Sequence, residues 1–199
     1  MKFPARNSTD FTPPPAGNHL AICTGVVELG LQPGSAQFPD PKHQVYVRFE
    51  LPDVPTSEEN PAPMMTGRTF TASMNEKANL RKFVEGWFGK PFPNDTAAEA
   101  FDLKTLMGRR CLLNITHRER DGKTRAKVEN ATPLPKGMSS TQQQHNANVY
   151  YSLEESSDAD LARVPEWLQK KIAERLAQPA PAKAMVVDTG GEPDDDIPF

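Results

Sequence analysis

Cations collect between Lys104 and Lys136, where nine Lys and Arg stand against three Asp and Glu. Two runs there, RRCLLNITHRER and KTRAKVENATPL, flank Asp121-Gly122, the dipeptide of a tight hairpin turn. Alternation with a period of two assigns their faces. With Cys111, Leu113 and Ile115 turned to a core, the opposite face of the first run carries Arg110, Asn114, Thr116 and Arg118. In the second run Ala126 and Val128 turn in, Arg125 and Lys127 turn out, and Arg120 and Lys123 flank the turn. Cations gathered on one side in this way neutralise phosphates. A merely solvated hairpin is the plain alternative.

Phosphate contacts alone do not separate single strands from duplex. A ring with a wet face does, because it stacks on an unpaired base. In HQVYVRFEL (43–51), Val45, Val47, Phe49 and Leu51 point one way; Tyr46, Arg48 and Glu50 point the other. Tyr46 is therefore an outward ring beside a cation. Phe70 shares strand parity with Arg68 but also with Ala72 and Met74, so it is either a platform or core. Phe38 sits in the loop LQPGSAQFPDPK and is exposed by context. Phe83, Trp87 and Phe88 belong to a helical apolar stripe and read as core.

These side chains need elements to hold them. GNHLAICTGVVELGL (17–31) reads as a long strand, bent or bulged at Gly25 and Gly30. HQVYVRFEL is a second strand and TGRTFTASM (66–74) a third. Leu80, Phe83, Val84, Trp87 and Phe88 then recur at helical spacing, with Ser73 and Glu76 as a capping box and Gly89 placed to end the helix. A short turn capped by Asp102 and the basic hairpin follow. Three strands, a helix and two strands fit a mainly β, five-stranded OB-fold barrel with a helix between strands three and four.

After Pro135 the chain turns polar and reads as disordered, apart from PEWLQKKIAERLAQ (165–178). There Leu168, Ile172 and Leu176 recur every four residues beside Trp167, an apolar stripe with nothing adjacent in sequence to cover it. The expected divisions are a flexible arm (1–16), the barrel (17–136), a disordered linker (137–164), an amphipathic helix (165–178) and a disordered acidic tail (179–199). Charge follows them. Residues 1–137 hold 18 Lys and Arg against 15 Asp and Glu; residues 138–199 hold 5 against 11. A hydrophobic content of 37% and 20 prolines agree with a chain that folds only in part.

Other chemistries find no support. No phosphate-binding glycine loop is present, and His19, His43, His117 and His145 make no zinc spacing with Cys23 and Cys111. No cofactor, metal or catalytic constellation is expected. The two cysteines lie in strand-like runs and read as buried reduced thiols, which places the chain in the cytoplasm. No apolar run is long enough to span a membrane.

The last six residues, DDDIPF, closely resemble the acidic tip of bacterial single-stranded DNA-binding proteins. EKANLRKFVEGWFGKPF, FDLKTLMGRRCLLNITH, ATPLPKG and VPEWLQKKI are similar to bacteriophage-encoded single-stranded DNA-binding proteins of OB fold. The resemblance covers most of residues 11–199. It implies a non-enzymatic protein of the bacterial host cytoplasm that coats unwound DNA. It also implies that Ile197, Pro198 and Phe199 enter an apolar pocket on replication, recombination or repair enzymes, with Asp194, Asp195 and Asp196 paired to basic residues around it. A homo-oligomer is compatible with the sequence, but the loops 52–63 and 89–100 and the late helix depart from the bacterial pattern, so no tetramer is carried over. The tethered tail is also expected to compete weakly for the basic groove. On this reading Phe38, Tyr46, Arg48, Arg68, Phe70, Arg110, Arg118, Arg120, Lys123, Arg125 and Lys127 contact single-stranded DNA. An OB-like adaptor that binds protein instead of DNA is the rival; a nuclease is a distant third.

Overall fold

The computed structural model describes residues 12–34, 39–59, 61–120, 122–135, 137 and 142–177. Among them β-structure dominates, and no helix is long and apolar enough to cross a membrane. Six strands form one sheet: β1 (Gly17–Gln32), β2 (Lys42–Pro55), β3 (Pro63–Thr71), β4 (Arg110–Arg120), β5 (Lys123–Thr132) and β6 (Val149–Tyr151). The hydrogen-bonded order is β3–β2–β1–β4–β5 with antiparallel neighbours, and β6 joins β1 in parallel. Among the described residues no ladder closes β3 onto β5. Instead the Arg68 guanidinium on β3 donates to the Val128 and Glu129 carbonyls on β5, at 3.1 and 2.5 Å.

β1 serves two cores because it changes parity. Its register with β2 shifts between Cys23 and Gly25 and again between Glu28 and Gly30, at the two expected glycines. Before the first shift Ala21 and Cys23 enter the main core; after it Val26 does, and Val27 and Leu29 turn to the other side. One inserted residue is enough to exchange the faces of a strand. Gly25 also pairs with Val149 of β6, and a Cβ there would lie 2.8 Å from the Val149 carbonyl oxygen. Only glycine admits the sixth strand this closely.

The main core is sealed by α1 (Asn79–Phe88), which buries Leu80, Phe83, Val84 and Trp87 against Phe49 and Phe70. The Trp87 indole N–H donates to the Arg110 carbonyl at 3.0 Å. Gly89 ends the helix in the left-handed conformation, as its position predicts. The expected capping box does not form. Ser73 Oγ accepts from the Asn75 N–H and Asn75 Oδ1 from the Lys77 N–H, so these side chains are used in turns and the helix starts after an extended Ala78. A short helix, α2 (Asp95–Glu99), is capped by Asn94, and the 3-10 turn Leu103–Leu106 by Asp102.

Residues 137–164, expected as a disordered linker, contain structure: β6, then α3 (Asp158–Leu161), then α4 (Glu166–Ala173) beyond. Two strand carboxylates bind this returning segment by its backbone. Glu50, expected to face outward, is fully buried; it accepts from the N–H groups of His145 and Asn146 at 2.8 Å each and from Asn146 Nδ2 at 2.9 Å. Glu28 accepts from the Leu153 N–H at 2.8 Å and from Ser152 Oγ at 3.1 Å. Val149, Tyr151, Val164, Leu168 and Ile172 then close a second core over Val27 and Leu29. At its end the Leu176 N–H donates to the Leu31 carbonyl at 2.8 Å. Mean polarity hid this segment, because a few spaced apolar residues suffice once the sheet supplies the other half of the core. The arm is corrected in part too: Pro14 is buried, and His117 Nε2 donates to its carbonyl at 2.7 Å.

Candidate nucleic-acid interface

The basic hairpin forms, with β4 and β5 paired antiparallel. Cys111, Leu113, Ile115 and Val128 are buried, so the alternate positions face out. In the ladder Arg118 stands directly opposite Arg125, and the backbone of Arg120 pairs with that of Lys123. Like charges in facing positions repel, and on this face the Glu129 carboxylate lies 4.0 Å from Arg118.

Beside the hairpin a groove of about 780 Å³ runs over β2 and β3. Arg48, Lys123 and Arg125 line it with two rings, Tyr46 and Trp167; Pro13 and Pro14 of the arm and Pro165 border it. Tyr46 packs against Gly67 of β3, where a Cβ would collide with its Cζ and hydroxyl. Gly67 is thus the residue that lets the ring settle. Burial pushes the Tyr46 hydroxyl up to about 12 against the pull of Arg48. Burial also lowers the Arg48 guanidinium somewhat, offset by Tyr46 and Glu50; at neutral pH it stays a cation.

Of the residues expected to contact DNA, the groove brings together Tyr46, Arg48, Lys123 and Arg125. Tyr46 is not the open platform its alternation predicts: it is half-buried, with the Trp167 ring perpendicular to it at a centroid distance of 5.0 Å. Phe70 is core, 3% exposed and packed on Phe83, which removes it as a stacking surface. Arg68 spans β3 and β5 with its guanidinium 4.8 Å above the Phe70 ring, and burial lowers its pKa. It holds strands and is not a free phosphate ligand. Lys127 pairs with Glu129 at 2.6 Å, and Arg118 lies 4.0 Å from the same carboxylate. Lys127, Thr116 and Arg118 hold the Glu129 carboxyl below the usual range. Arg118 remains largely exposed beside the groove. Arg110 points elsewhere and donates to the Gln142 carbonyl at 2.8 Å. Phe38, the Arg120 side chain and Asp194–Phe199 lie outside the described residues.

Trp167 is the groove residue that sequence reasoning missed. It is 48% exposed, while Leu168 and Ile172 on the same helix are buried. The available signal was its position one residue off the apolar stripe, which turns it away from the second core. Lys171, one turn later, sets its ammonium 5.9 Å from the indole centroid. No protein-family model matches the chain, and no curated protein matches it.

Proposed function

We propose that the chain is a sequence-tolerant single-stranded DNA-binding protein whose sheet is an OB-type barrel. One observation carries this reading: Arg48, Lys123 and Arg125 meet aromatic rings in a single groove beside a hairpin of facing like charges. Cations at the backbone and rings at the bases are what binding of unpaired nucleic acid without sequence readout requires. The strand order, with Arg68 tying β3 to β5, supports the barrel. The resemblance of DDDIPF to the tips of bacterial single-stranded DNA-binding proteins adds the second half of the proposal. The body holds unwound DNA during replication, recombination or repair in a bacterial host cytoplasm. Asp194–Phe199 recruit partner enzymes.

The test is a titration of oligo-dT against duplex of equal length at several salt concentrations. With Arg48, Arg118, Lys123 and Arg125 on phosphates, log affinity for the single strand should fall with log salt at a slope of about −3. Duplex should bind much more weakly. Equal binding of both forms, or none of either, rejects the reading. The adaptor alternative is favoured by one feature, an apolar cleft built from Phe88, Pro91, Phe92, Pro93 and Phe101. It would stand if oligo-dT failed to bind while a tip peptide still bound its partner.

A further inference from the structure

We infer that the returning segment completes the DNA site, with Trp167 of α4 as its base-stacking platform and Tyr46 as the residue that positions it. The inference rests on the single-stranded DNA reading and names the parts it leaves open: which ring takes the base, and which part of the chain carries that ring.

The two rings of the groove differ in kind. Tyr46 is half-buried, settled over Gly67, with its hydroxyl titration pushed up by burial. It has little face left to offer. Trp167 is half exposed, although indole is among the largest apolar surfaces a protein can cover. α4 has an interior available and uses it for the neighbouring side chains: Leu168 and Ile172 are buried in the second core. The indole instead projects over the groove that holds Arg48, Lys123 and Arg125. Its perpendicular contact with Tyr46 fixes its tilt, and Lys171 holds another cation over the ring, 5.9 Å from its centroid.

Position on the helix decides the rest. Trp167 reaches the groove only while Leu168 and Ile172 are docked and while Gln32 Nε2 donates to the Lys171 carbonyl at 3.0 Å. A nucleotide stacked on the indole therefore binds the docked segment in preference to the undocked one, and docking and DNA binding stabilise each other. The DNA-binding unit is the sheet together with residues 142–177.

The full-length chain allows a clean test, because it has two tryptophans and Trp87 is buried in the main core. Oligo-dT should quench wild-type emission, and the quench should be absent in Trp167→Phe. Trp167→Ala should bind oligo-dT about 5- to 150-fold more weakly, the range of one lost stack, with an unchanged salt slope. Trp167→Phe should recover most of that loss. Leu168→Asp, which undocks α4 and leaves the main core intact, should reproduce the Trp167→Ala defect. Wild-type affinity in Trp167→Ala, or no quench at saturation, would overturn the inference and leave the DNA-binding reading intact. A loss in Trp167→Ala that Trp167→Phe does not recover, with lowered melting in both, would reduce Trp167 to a structural role and overturn it as well. Failure of the wild type to bind oligo-dT would remove the underlying reading itself.

Discussion

Arg118 and Arg125 face each other across the β4–β5 ladder, and Glu129 draws one of them part of the way back. A facing pair of like charges works against folding by roughly 0.2–1 kcal/mol. On the proposed reading a bound polyanion reverses that cost. Arg125→Thr should therefore move two observables in opposite directions. Its melting temperature should rise slightly, since threonine suits a strand and removes the repulsion, while affinity for oligo-dT falls alike for every sequence. The salt slope should shrink by about 0.7, one phosphate on a single strand. Thermal melting and oligo-dT titration on the same preparation check both; a fall in melting temperature together with unchanged binding would count against a phosphate role for this pair. Alternation read from sequence put Arg125 outward correctly. It did not foresee that Lys127 on the same face is taken by Glu129 at 2.6 Å, because ion pairing depends on side-chain reach and not on parity.

The elements of the sheet were legible because turn chemistry and alternation are local. Asp121-Gly122 announced the hairpin, Gly25 and Gly30 the two shifts in β1, and the apolar stripe from Leu80 to Trp87 the helix. The returning segment was not legible, because what orders it lies about a hundred residues away in sequence, on strands that read as complete without it. Glu50 looks like an outward polar residue until the N–H groups of His145 and Asn146 are found on its carboxylate. The consequence is testable at this scale. Glu50→Ala leaves the donors of His145 and Asn146 without their acceptor, and each buried unpaired donor costs about 1–3 kcal/mol. The segment can escape that cost by opening to water, so the damage should be local. Amide exchange should quicken through 142–151 while the amides of β4, in the main core, change little. Binding of oligo-dT should weaken in step, because α4 loses part of its anchorage. Uniform acceleration across both regions would mean instead that Glu50 supports the whole fold, and that the returning segment is not a separable unit.

At the scale of the whole molecule the charge split sets the behaviour: 18 cations against 15 anions through residue 137, and 5 against 11 after it. Ala173, the last residue of α4, lies six positions beyond Trp167. At about 1.5 Å of rise per residue, the helix ends on the order of 10 Å from the groove. Residues 178–199 follow closely, with five acidic side chains from Asp188 onward. On the proposed reading these residues tether their charges to the groove at an effective concentration of roughly millimolar. Even weak attraction to Arg48, Lys123 and Arg125 would then compete with the proposed DNA ligand, and the competition would be electrostatic. Deleting residues 190–199 removes Glu192 and Asp194–Asp196 and should raise affinity for oligo-dT most at low salt. The gain should fade as the screening length drops from about 30 Å at 0.01 M to about 8 Å at 0.15 M. Replacing the three aspartates by asparagine should reproduce most of the gain, whereas replacing Ile197 and Phe199 by alanine should not, because the apolar residues are assigned to partner enzymes. Affinity that stays the same at low salt in the deletion would sever the tail from the groove. The tail would then act on partners alone, and the groove would be regulated only by what docks or undocks α4.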